Sequence, residues 1–179
     1  MKSYTEAELT EILKLHRMWL SDEENGKRAD LRRADLRGAN LRYANLRYAD
    51  LRRADLRGAN LRYANLRYAN LKYANLGDAN LGDANLSDAN LSDANLSQSN
   101  LLHVYGVETF SVDNIGTYRG RATFIPKFNK VFAGCWTGTL EAFKEKGLEM
   151  NEGDKKQTKL IEHAYEYFKV CAEGVEVDE

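Results

Sequence analysis

Leucine recurs at every fifth position from Leu31 to Leu101, fifteen times without a gap. No other feature of the 179-residue chain limits its fold so strongly. An amphipathic helix needs apolar residues three and four apart, and a half-buried strand needs them at every second position. A five-residue interval satisfies neither and suits a chain that turns one corner per repeat. The unit is Ala, then Asp or Asn, then Leu, then two variable residues. A second period lies over the first, because residues 29–48 and 49–68 are identical. Twenty residues are four repeats, so the two periods together predict coils of four corners in which residues twenty apart lie above one another. Ala and Leu, two positions apart, are expected to point inward and the other three positions outward. Fifteen repeats fill about 3.75 coils, a column roughly 18 Å tall at ~4.8 Å between stacked strands.

The tandem A(D/N)LXX pattern over residues 29–101 resembles the pentapeptide repeat family. The resemblance implies an all-β solenoid, a right-handed quadrilateral β-helix of about four coils. Its handedness rests on the resemblance alone. Family members with known activity include gyrase-protecting proteins that resemble DNA in shape and negative charge, so a topoisomerase modulator acting by DNA mimicry is one functional alternative. Fold by itself does not fix function.

A solenoid with open ends exposes unpaired backbone and an apolar axis, so caps are expected at both ends. Residues 1–26 read as an N-terminal capping helix: Thr5 and Glu8 have capping-box spacing, and Leu9, Ile12, Leu13, His16, Trp19 and Leu20 share one face before Gly26. Residues 27–101 form the repeat column. Residues 102–179 read as a small α+β capping or accessory segment. Its expected strands are Val104–Val112, Arg121–Phe128 and Lys130–Trp136. Its expected helices are one capped by Thr139 and ended by Gly147, and one capped by Asp154 with Gln157 and ended near Gly174. The stretch GCWTGTLEAF from Gly134 is similar to segments that follow pentapeptide repeats in bacterial and phage proteins.

Little in the sequence points to catalysis. His16, His103 and His163 fall in three different elements, and no metal-ligand spacing such as Cys-x-x-Cys occurs. Cys135 with His163 as base is the one nucleophilic pairing to consider, against the commoner reading of Cys135 as a buried small hydrophobe. Gly116 and Gly120 lack the strand–loop–helix context of a phosphate-binding motif. The Asp/Asn column is read as turn-forming in preference to cation-binding, since short polar side chains bond local backbone at corners. The chain is therefore expected to be non-catalytic, without cofactor or metal. No apolar run long enough to span a membrane occurs, and the chain is expected to be cytoplasmic.

Charge carries the functional content. The net charge of −1 conceals segments of opposite sign: −3 over residues 1–26, +9 over 27–73, −4 over 74–101 and −3 over 102–179. The basic half interleaves Arg with Tyr. Candidate partner-binding residues are Arg32, Arg33, Arg42, Tyr43, Arg47, Tyr48, Arg52, Arg53, Arg62, Tyr63, Arg67 and Tyr68. Stacked like charges repel modestly, so removing charge at Arg32, Arg33, Arg52 and Arg53 is expected to leave the fold intact or slightly more stable. The leading reading is a binding or assembly module that takes a protein partner or self-associates through its complementary charged halves. Nucleic-acid binding through the Arg/Tyr belt is second. The arginines appear on all four expected faces, which counts against a groove binder. No small-molecule substrate is expected.

Overall fold

The computed structural model describes residues 1–115, 120–133 and 136–173, and Gly116, Cys135 and Gly174 lie outside them. The chain divides into two compact units, Met1–Val107 and Glu108–Glu179.

In the first unit, parallel bridges join residues twenty apart in four columns. One runs Asp30–Asp50–Asn70–Asn90, and the other three start at Asp35, Asn40 and Asn45. Hydrogen bonds between coils repeat with the same register, as in Leu31 N–H to the Asp50 carbonyl at 2.8 Å and Asp50 N–H to the Ala29 carbonyl at 3.0 Å. The twenty-residue coil is thus the stacking unit. The columns are made of single bridging residues instead of continuous strands, because each five-residue repeat gives up its last two residues to a turn. From Ala34 to Ala94 the Ala N–H closes that turn on the preceding Leu carbonyl, as Ala64 does on Leu61 at 2.9 Å. The second turn residue is left-handed, with φ 55° at Arg33 and 61° at Tyr63. Gly38 and Gly58 occupy that slot at φ 64° and 65°, where a glycine carries no Cβ penalty.

Leucines from Leu31 to Leu86 are almost fully buried, as are most of the alanines, and together they fill the axis. The Asp or Asn oxygen accepts the N–H two residues on in repeat after repeat, for example Arg62 N–H on Asn60 at 3.2 Å and Ser87 N–H on Asn85 at 2.9 Å. These Asx bonds hold each corner. The column continues past the last leucine repeat, since Tyr105 still bridges Asn85.

The N-terminal segment begins with β1 (Lys2–Ser3), which pairs in parallel with β2 (Ala34–Asp35) on the first coil. Helix α1 (Glu6–Leu20) follows, opened by a complete Thr5/Glu8 capping box. His16 is its one buried residue. The His16 Nδ1 accepts the Ala29 N–H at 3.1 Å, and the Leu15 carbonyl accepts the Lys27 N–H at 2.9 Å, so the helix is stitched to the first coil. Trp19 stacks on His16 and meets Tyr48 edge-on at 6.3 Å.

The second unit is a four-stranded antiparallel sheet in sequence order, with two helices. The strands are β3 (Phe110–Ile115), β4 (Gly120–Ile125), β5 (Lys130–Ala133) and β6 (Trp136–Gly138); the helices are α2 (Leu140–Met150) and α3 (Lys155–Glu173). Phe124, Phe143, Phe168, Ile161 and Val131 make its core, with the Phe124 and Phe168 rings 5.4 Å apart. Thr139 and Asp154 cap the helices as expected from sequence. Four boundaries differ from expectation. The strand expected over Lys130–Trp136 is two, since β5 ends at Ala133 and Trp136 opens β6, which pairs antiparallel with it. The strand expected at Val104 starts at Phe110, because Val104 and Tyr105 still belong to the coil. The strand expected to reach Phe128 stops at Ile125, where Pro126 has no N–H for the ladder and opens a single 3-10 turn. Gly147 does not end α2 but lies inside it, where a Cβ would come within 2.8 Å of Ile161. Among the described residues, no helix is long and apolar enough to cross a membrane.

Candidate anion-binding face

The twelve residues singled out from sequence fall on three sides of the column. Arg32, Arg33, Arg52 and Arg53 lie together on the side of the Asp30–Asp50 bridges. Arg42, Tyr43, Arg62 and Tyr63 share another side, and Arg47, Tyr48, Arg67 and Tyr68 a third.

Two local rules decide what each arginine does. Where the repeat reads Ala-Asp-Leu-Arg, the guanidinium folds back as a fork onto the aspartate two residues earlier. The Nε contacts are 2.7 Å for Arg32 on Asp30, 2.8 Å for Arg37 on Asp35, 2.8 Å for Arg52 on Asp50 and 2.8 Å for Arg57 on Asp55. Where it reads Ala-Asn-Leu-Arg-Tyr, no carboxylate stands two residues earlier, and at three of the four such arginines the guanidinium bonds the next tyrosine's hydroxyl. This occurs at 2.9 Å for Arg42 and Tyr43, 2.8 Å for Arg62 and Tyr63, and 2.7 Å for Arg67 and Tyr68. The tyrosines stack coil on coil, Tyr43 on Tyr63 at 4.9 Å and Tyr48 on Tyr68 at 4.8 Å, with guanidinium groups over their rings. The boundary between basic and acidic coils is bridged inside the chain as well, by Arg62 with Asp83 at 3.2 Å and Arg67 with Asp88 at 3.5 Å.

The forks shift the carboxylates. Arg32 holds Asp30 below its ordinary range, Arg57 does the same for Asp55, and Arg37 takes Asp35 down to about 2. Burial alone would raise Asp50, but the Arg52 bonds and nearby positive charges outweigh it and the carboxyl is held low. Asp50 is 6% exposed, so Arg52 keeps a buried charge paired. This pairing argues against the expectation that removing charge at Arg32, Arg33, Arg52 and Arg53 together would leave the fold intact. Arg33 and Arg53 are different: they sit at the left-handed turn position, exposed, and no carboxylate pairs with either among the described residues.

The surplus charge is therefore not spread evenly around a belt. Arg37 and Arg57 are matched by Asp35 and Asp55, and the two Arg/Tyr sides each have an aspartate above them. On the remaining side, Lys2, Arg32, Arg33, Arg52, Arg53 and Lys72 line an open concavity of about 730 Å³, bordered by Tyr4 and Tyr73. Asp30 and Asp50 are the carboxylates on that side of the first three coils. Sequence reasoning did not select four of these residues. Lys72 and Tyr73 had a signal, standing twenty positions after Arg52 and Arg53. Lys2 and Tyr4 had none, since the pairing of β1 with β2 brings them there.

Elsewhere, His163 is exposed on α3, and Cys135, its suggested partner, lies outside the described residues. Among the described residues, no cluster of His, Cys, Asp and Glu suits a metal ion.

Twenty-residue coils of A(D/N)LXX units joined in register define a repeat protein. Residues 27–62 and 64–101 match the family model "Pentapeptide repeats" in 8 copies, and the chain belongs to the pentapeptide repeat family. Solved structures like it include Rfr23, a pentapeptide repeat protein from the cyanobacterium Cyanothece, at 42% identity over 43% of this chain and 52% of that one, with a TM-score of 0.43. HetL from the cyanobacterium Nostoc, a pentapeptide repeat protein involved in heterocyst differentiation regulation, is 38% identical over 47% of this chain and 39% of its own, with a TM-score of 0.44. Another pentapeptide repeat protein from Nostoc is 32% identical over 60% of this chain and 90% of its own, with a TM-score of 0.20. This chain spans about half of Rfr23 and less of HetL. No curated protein matches it.

Proposed function

We propose that the chain is a non-catalytic binding module whose Arg33/Arg53/Lys72 face engages an anionic partner. One observation carries the reading: six cations on that face meet two carboxylates and line a concavity, whereas Arg37 and Arg57 are matched within the chain and the two Arg/Tyr sides each set two arginines against one aspartate. A concave wall of one sign focuses the field and attracts opposite charge. The twenty-residue coil register further supports the quadrilateral β-helix of the family as its architecture, with a column that runs on to Tyr105, past the boundary at residue 101 expected from sequence. Self-association through complementary halves is the weaker alternative, because Arg62 and Arg67 already bridge to Asp83 and Asp88 in the next coil. Mimicry of DNA is disfavoured by the sign of the first three coils. The test is retention on a polyanionic resin by the wild type and by Arg33→Gln/Arg53→Gln/Lys72→Gln. The variant is expected to elute at clearly lower salt, and equal elution would overturn the reading.

A further inference from the structure

We infer that the ligand of this face is the phosphodiester backbone of a nucleic acid strand; this deepens the proposed binding function and rests on it. The density of charge is the first argument. Six cations against two carboxylates over three coils leave one surplus positive charge for every roughly 4 Å of column, at ~4.8 Å per coil. A nucleic acid strand carries one negative charge per ~3.4 Å of axis in a duplex. An extended acidic peptide presents a same-face side chain only every ~6.6 Å, too sparse to match the column.

The second argument is donor geometry. Arg32 and Arg52 have their Nε and Nη2 edges committed to Asp30 and Asp50, which fixes the two guanidinium planes and leaves Nη1 outside the fork. Arg33, Arg53 and Lys72 have no carboxylate to satisfy them among the described residues, and follow one another up the column through backbone bonds from Arg33 to Arg52 and from Arg53 to Lys72. Planar guanidinium forks suit phosphate oxygens. Lys2, brought to the same concavity by β1, adds a cation beside the first coil. At the far edge Tyr73 is 47% exposed, with Arg53 over its ring at 5.3 Å and Lys72 at 5.0 Å, so that the ring gathers two cations of this face at its rim. Nothing on the face reads base edges in a fixed pattern, so binding is sequence-tolerant.

The experiment is fluorescence anisotropy of the whole chain with a labelled ~20-nucleotide oligothymidylate, a duplex of equal length and polyglutamate, across ~50–200 mM salt. With about four phosphates neutralised, the log–log salt slope for the single strand is expected near −3. Arg33→Gln/Arg53→Gln/Lys72→Gln, whose melting temperature serves as the fold control, should weaken binding about tenfold or more and flatten the slope toward −1. Arg42→Gln/Arg62→Gln, on another side, should stay within about twofold of wild type. Tighter binding of the duplex would keep the phosphodiester assignment and make the duplex the natural form. Absence of oligonucleotide binding at ~50 mM salt overturns the inference, as does equal loss in both variants. Polyglutamate binding that the triple variant abolishes, without oligonucleotide binding, overturns the nucleic-acid inference while leaving the anion-binding module standing. Loss of neither ligand in the triple variant removes both.

Discussion

At the residue scale, one substitution within the repeat changes what its arginine is for. Asp at the second position captures Arg two residues later in a fork, and Asn releases it to a tyrosine hydroxyl. The consequence is sharpest at Asp50, which is buried and receives Arg52 in two-point contact while Arg28 and Arg32 stand at 3.9 and 3.8 Å. Removing one partner of a buried charged pair costs far more than removing both, because the remaining charge is left desolvated. Arg52→Ala is therefore expected to lower the melting temperature more than Arg53→Ala does, although the two are neighbours of the same type. Asp50→Asn in the Arg52→Ala background should restore most of the loss, because Asn keeps the Asx bond that the other repeats use. Thermal melts of the four proteins check this. The Asx role of this column was legible in the sequence from residue type and position alone. The fork was not, because it depends on a side chain folding back along a left-handed turn.

At the scale of elements, helix α1 is a lid whose seat includes a titratable group. His16 is fully buried, and its Nδ1 accepts the Ala29 N–H, which requires the neutral ring. Burial, aided by the charge of Arg28, pushes its pKa below the ordinary value despite an opposing backbone contact at Arg47. The proton is thus bound more tightly in the unfolded chain than in the folded one. Stability from this site is complete above the unfolded value of about 6.5 and is lost as pH falls from there toward the lower folded value. The melting temperature should drop as pH falls below about 6.5, and His16→Asn, which retains an acceptor without a titrating ring, should abolish that part of the slope. The helix and its capping box were readable from spacing, whereas of the face expected to turn inward only His16 is buried and Trp19 stays exposed. That a histidine, not a leucine, would be its most buried residue was not readable, since burial was decided by where the first coil's backbone presents its unpaired N–H.

At the scale of the whole molecule, acid tests the basic coils through their four aspartates. Asp30, Asp35, Asp50 and Asp55 are all held below the ordinary carboxylate value, Asp35 at about 2. Depressed values contribute stability that is present above about pH 4 and lost as pH falls toward 2. A second acid transition is therefore expected below about pH 4, distinct from the histidine step and weakened in Asp35→Asn, as circular dichroism along a pH series would show. The sequence alone determined the coil. Periods of five and twenty residues set the register, the Ala and Leu axis and the Asx corners, because every repeat repeats the same local geometry and backbone pairing follows from it. The overall sign of each segment was also readable by counting. Only the tertiary structure decided where the charge remains unmatched. Side chains pair across turns, between coils and with a two-residue strand from the far N-terminus, and these distances bear no fixed relation to sequence separation. A belt of arginines in the sequence is consequently, in space, one face with the largest positive surplus, one whose arginines are paired with aspartates, and two on which a single aspartate answers two arginines.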